Sequence, residues 1–199
     1  MKTNKFLIGF LALAIFLVGC ASDDTADIII ENPNGGNPMT PTDPTNTDDT
    51  EIGGTLTEDL ILESGTEYKL TSALIVSDGL TLTINPGVVV RATTGADVYV
   101  AILQGGTILA EGTSSNPIVF TSDSATPNAG DWGGLILLGK APINSVAGGD
   151  ATSTSEIGGL PYGGSVSDDN SGIIKYLRIE YSGGAADASS ENNGFLRIC

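Results

Sequence analysis

Three patterns of apolar and polar residues follow one another along the chain. Phe6 to Val18 is a run of 13 uncharged, mostly apolar residues, preceded by Lys2 and Lys5. Apolar positions then thin out, and residues 32–50 (NPNGGNPMTPTDPTNTDDT) contain one, Met39. From residue 55 the period becomes two. Leu80, Leu82 and Ile84 alternate with Thr81 and Thr83, Ile118 and Phe120 with Val119 and Thr121, and Leu177, Ile179 and Tyr181 with Arg178 and Glu180. Successive side chains of a strand point to opposite faces, so each stretch predicts a β-strand with one face buried. No helical stripe follows residue 19.

The turns between strands are glycine-rich. Pairs stand at 53–54, 105–106, 133–134, 148–149, 158–159, 163–164 and 183–184, where they predict corners. Asn85-Pro86-Gly87 puts proline where its ring-locked φ is wanted and glycine where φ must be positive, which predicts a type II turn. Strand centres fall near Leu82, Ile102, Val119 and Ile136, a spacing of roughly 17–20 residues that suits one coil of a solenoid. A hairpin sandwich is the competing architecture, but Asp78-Gly79 is the one clear two-residue hairpin turn.

The first segment has the plan of a signal peptide, a cationic start followed by a short apolar stretch. Thirteen helical residues reach about 20 Å, short of the roughly 30 Å hydrocarbon core of a bilayer. Leu17-Val18-Gly19-Cys20 resembles the lipobox of bacterial lipoproteins. That resemblance implies cleavage before Cys20 and acylation of its sulfur and its new amine (a palmitate-bearing lipoprotein), with outer-membrane lipid as the partner. Ser22-Asp23-Asp24 resembles the acidic signal that sends such proteins to the exterior face of the outer membrane; a plain polar linker is the alternative. Residues 20–54 are expected to form the acylated cysteine and a disordered tether. Residues 21–51 hold eight carboxylates and no cation, and Pro33, Pro38, Pro41 and Pro44 stiffen them.

The strand segments carry a second resemblance. Leu80-Thr81-Leu82-Thr83-Ile84-Asn85-Pro86-Gly87-Val88 and Gly106-Thr107-Ile108-Leu109-Ala110-Glu111-Gly112-Thr113 resemble coils of secreted right-handed parallel β-helix proteins, the pectate-lyase-like solenoids. Asn116-Pro117-Ile118-Val119-Phe120-Thr121-Ser122, Gly130-Asp131-Trp132-Gly133-Gly134-Leu135 and the stretch from Ile174 to Gly184 extend the match. The expected fold is therefore all-β: a right-handed parallel β-helix over 55–199, preceded by a signal peptide (1–19) and a disordered linker. The family adds further coils after a segment like Glu191-Asn192-Asn193-Gly194, whereas here Phe195-Leu196-Arg197-Ile198-Cys199 follows. The expectation is a β-helix incomplete at its C-terminus; a short member blunted by Arg197 is the alternative.

Composition narrows the chemistry. The chain has 8 basic and 24 acidic side chains, a formal charge of −16 and no histidine. Residues 53–199 keep 6 basic and 16 acidic side chains, a charge of −10. So acidic a surface repels phosphate backbones, which excludes nucleic acid as a partner. Without histidine there is no Ser-His-Asp triad, no Cys-His pair and no histidine-ligated zinc.

Few constellations remain. Asp168, Asp169 and Asn170, in a loop with Ser171 and Gly172, are the calcium candidates, since calcium takes six to eight oxygens; a polar turn bonding its own backbone is the alternative. Tyr176, Arg178 and Glu180 are expected on one strand face as a ligand-binding set, with an exposed ion pair as the plainer reading. Trp132, beside Gly133 and Gly134, is expected either to stack on a sugar or to wedge beneath a coil corner. Resemblance to β-helix polysaccharide lyases would make Lys175 or Arg178 a base, but Lys175 falls on the opposite face from Arg178. Glu58 and Asp59, being adjacent, make a poor acid/base dyad. The expected function is a non-catalytic one at the cell surface, binding glycan or another extracellular ligand or mediating adhesion. The alternatives are a polysaccharide lyase or hydrolase, or a truncated product without function.

Overall fold

Leucine, isoleucine and valine at every second position are drawn into a common interior, and the chain winds to bring them there. The computed structural model describes residues 50–143, 152–185 and 194–198. The expected signal peptide, Cys20 and nearly all of the tether lie outside the described residues. Strand β1 (Glu51–Thr55) lies parallel on the coil that follows. That coil consists of β2 (Leu60–Leu62) and β3 (Glu67–Val76), a long strand whose two halves belong to two sides. The next coil has β4 (Thr81–Ile84), β5 (Val89–Ala92) and β6 (Gly95–Ile102), and the one after it β7 (Thr107–Glu111), β8 (Ile118–Ser122) and β9 (Trp132–Leu138). An insertion with the antiparallel pair β10 (Thr152–Thr154) and β11 (Pro161–Gly163) precedes a further coil. That coil is β12 (Gly172–Lys175), β13 (Leu177–Ile179) and β14 (Phe195–Ile198).

Among the described residues every strand pairing except β10–β11 is parallel. Three faces result. The first stacks β2, β4, β7 and β12; the second stacks the first half of β3 with β5, β8 and β13; the third stacks the second half of β3 with β6, β9 and β14. No helix occurs among the described residues, and the architecture is an all-β parallel β-helix.

The ladders inside are in register. Leu62, Ile84, Ala110 and Ile174 form one, and Tyr68, Val90, Phe120 and Ile179 another. Most rungs in the first three coils are 0–1% exposed. Burying such an aliphatic side chain is worth about 1.5–3 kcal/mol, and the parallel pairing satisfies the backbone that goes in with it.

Three expectations need correction. Leu82 and Ile102 belong to one coil, as do Val119 and Ile136, so the spacing of strand centres is partly the distance between faces of a three-sided coil. The coil-to-coil step is longer and uneven: on the first face Leu60 stacks on Leu82, Leu82 on Ile108, and Ile108 on Gly172, beyond the insertion. The ordered fold also starts earlier than residue 55, because β1 pairs with β3 and Ile52 is buried against the core. Finally, Gly133 and Gly134 lie within β9 at an irregularity of its pairing with β6, not at a corner. The Asn85-Pro86-Gly87 turn is as expected: Gly87 has φ +82° and the Val88 amide donates to the Asn85 carbonyl.

Candidate functional site

The insertion decides which faces are available. Outward side chains of the third face (Tyr99, Ala101, Ile136 and Leu138) form a second apolar cluster with Ile157, and Leu160 and Tyr162 of the insertion pack against it. Every residue of β9 is therefore buried, on both sides of the sheet. Gln104 pins the base of the insertion, its side-chain amide donating to the carbonyls of Gly139 (2.9 Å) and Gly163 (2.6 Å). Lys140 adds an ion pair with Asp78 at 3.0 Å. Sequence reasoning missed Gln104 and the covered face. Its signal was present in the unbroken apolar run from Leu135 to Leu138, since a sheet buried on both faces loses alternation.

The calcium candidates sit at this same base. Asp169 accepts the Lys140 backbone amide at 2.7 Å, and the Asn170 side-chain oxygen accepts the Gly172 amide at 2.8 Å, an Asx turn that starts β12. Asp168 is exposed. Among the described residues no three acidic side chains gather in a way that would hold a metal ion. Asp59 likewise bonds backbone, accepting the Thr81 amide at 2.8 Å.

Trp132 is a core residue. It has no exposed area, so it has no face to give to a sugar ring. Its indole meets Phe120 edge-on at 6.3 Å, and its N–H donates to the Glu180 carbonyl at 2.8 Å. It acts from beneath, by fixing the strand end that carries Glu180.

The second face is open. Glu180 is held at four points: its amide donates to the Phe120 carbonyl, its carbonyl accepts from Trp132, one carboxylate oxygen accepts from Thr121 at 3.0 Å, and the other pairs with Arg178 at 2.9 Å. Tyr176 does not share a strand face with this pair, as the alternation suggested. It takes φ +49° between β12 and β13, and the residue is 60% exposed at the corner of the first and second faces. Lys175 lies beyond that corner on the first face, paired with Glu111 at 2.6 Å.

Arg91 pairs with Glu67 at 2.7 Å and Lys69 with Asp123 at 2.9 Å, so this face carries three of the five described ion pairs. Both cations are held above their usual pKa, first by the hydrogen bond to the partner carboxylate and then by its charge. Val89 and Val119, partly exposed and adjacent in register, stand between the pairs. The arrangement provides fixed donors and acceptors around a small apolar centre.

A family model described as a pectate-lyase like beta helix domain matches residues 54–197. No curated protein and no solved structure matches the chain. The matched span takes in strands of every coil and the insertion between the last two. The chain belongs to the pectate-lyase-like β-helix family.

Proposed function

We propose that the protein is lipid-anchored at the exterior face of the outer membrane through acylated Cys20, and that its β-helix binds glycan without catalysis. The lipobox-like Leu17-Val18-Gly19-Cys20 and the acidic Ser22-Asp23-Asp24 support the anchor and its placement. The observation that carries the non-catalytic part is the state of the cations. Each of the five basic side chains whose surroundings are described is paired with a carboxylate at 2.6–3.0 Å. A lyase acting on an acidic polymer needs cations free to take the polymer's carboxylates, and a base outside ion pairs. Here those groups are engaged, on a body of charge −10. Paired guanidinium and carboxylate groups suit hydroxyls, because each pair offers a donor and an acceptor in fixed geometry.

The test incubates the full chain, purified in detergent, with insoluble polysaccharides. Retention on the polymer with no sugar product released is the expected result. Unsaturated product that disappears in Arg178→Ala replaces binding by lyase chemistry. Cys20→Ser is expected to move the protein from the membrane fraction to the soluble one; a Cys20→Ser protein that stays in the membrane rejects the anchor.

A further inference from the structure

We infer that the ligand site is the outer second face, centred on Val89 and Val119 and edged by Tyr176, and that it takes an uncharged glycan. This rests on the glycan-binding reading above and adds the face and the ligand's charge.

The described faces differ in what they leave to solvent. The third is covered by the insertion. The first carries an outward column of Ile61, Thr83, Leu109 and Ile173, with one ion pair, Lys175–Glu111, at its edge. The second alone combines an apolar centre with planar charged pairs on two sides, Arg91–Glu67 and Arg178–Glu180. From Glu67 to Arg178 is three rungs, about 14 Å, and the outward positions along a strand are about 7 Å apart. That is an open, flat patch several sugar rings in extent. Pyranose rings present C–H faces, which suit Val89, Val119 and the Tyr176 ring, and hydroxyl edges, which suit guanidinium–carboxylate pairs.

The ligand's charge follows from the pairing. Arg91, Lys69 and Arg178 each have a carboxylate partner at 2.7–2.9 Å, so none offers net positive charge. An anionic polymer would have to displace those partners on an already acidic body; a neutral one uses the pairs as they stand.

Tyr176 supplies an independent observation. A non-glycine residue at φ +49° is strained, and glycine occupies that region freely. Tyr181 takes φ +59° at the other end of β13, and both residues are exposed, 60% and 42%, so the two ends of the strand each hold an aromatic residue out to solvent.

The test titrates the full chain, in detergent, with xylan, a mannan, a β-glucan and polygalacturonate by calorimetry. At least one uncharged polymer is expected to bind and polygalacturonate is not. Tyr176→Gly removes the ring at an angle glycine accepts, so the fold, checked by circular dichroism, is kept while affinity falls roughly tenfold or more. Val119→Glu is expected to do the same, and Leu109→Glu on the first face to leave affinity unchanged. Loss of binding in Leu109→Glu with Tyr176→Gly and Val119→Glu intact overturns the assignment of the face and leaves glycan binding standing. Preference for polygalacturonate overturns the uncharged class. No binding by the wild-type chain to any of the four overturns both this inference and the reading beneath it.

Discussion

Replacing Trp132 tests the link between the core and the face above it. The side chain is fully buried, packs edge-on against Phe120 and donates to the Glu180 carbonyl. Truncating a buried tryptophan to alanine costs about 3–5 kcal/mol, from lost contacts and the cavity left behind. Trp132→Phe keeps an aromatic edge for Phe120 but loses volume and the N–H, so about 1–2 kcal/mol is expected. With a urea m-value of about 2 kcal/mol/M, Trp132→Ala should lower the unfolding midpoint by about 2 M. Far-UV circular dichroism measures this without a tryptophan. Because Trp132 is the only tryptophan, the wild-type emission spectrum separately reports its surroundings. Emission should be blue-shifted in the native state, and adding glycan should leave it unquenched. A cost below about 1 kcal/mol for Trp132→Ala, or native emission like that of a solvated indole, would mean that the side chain is not packed in the core.

Two further outcomes follow from the same geometry. Gly172 has φ +120°, and a Cβ there would run into the Ile108 carbonyl of the coil below, so Gly172→Ala should destabilise the fold by more than about 1 kcal/mol in urea melts; an unchanged midpoint would contradict the close stacking of β12 on β7. Lys69 is held above the usual lysine pKa, first by its hydrogen bond to Asp123 and then by that carboxylate's charge. A raised folded pKa means its contribution is complete below the unfolded value and is lost as pH rises through the folded one. Thermal melts should show the wild-type advantage over Lys69→Met shrinking as pH rises past the usual lysine pKa, and parallel curves would reject the pairing.

The alternating strands were legible because an interior lined by Leu82, Ile84, Ile108, Ile118 and Phe120 imposes period two wherever the outer side meets water. Residues 98–102 and 135–138 were harder to place. The insertion makes their outer side apolar as well, so the pattern carries face identity no longer. Coil length was illegible for a related reason. Turns between faces vary while the register is set by side-chain stacking, and Ile108 meets Gly172 across the whole insertion as well as it meets Leu82 across a single uninterrupted coil. The candidate site was half legible. Arg178 and Glu180 do form a pair. Tyr176, however, leaves their strand face through a positive φ that its residue type disfavours, and Trp132 is inside because Phe120 and the Glu180 carbonyl together satisfy its ring and its N–H. The burial of Trp132 thus depends on a partner in the next coil, far away in sequence.

Successive coils stack in parallel register, so that Val89 and Val119 become neighbours on one open face. They are one rung apart in the structure, about 4.8 Å, although they belong to different coils and are distant in sequence. Spin labels on Val89→Cys and Val119→Cys, in a chain with Cys20 and Cys199 replaced by serine, measure that proximity by electron paramagnetic resonance. Parallel stacking predicts strong dipolar broadening in the doubly labelled protein that vanishes on unfolding. A doubly labelled spectrum equal to the sum of the two singly labelled ones would contradict it.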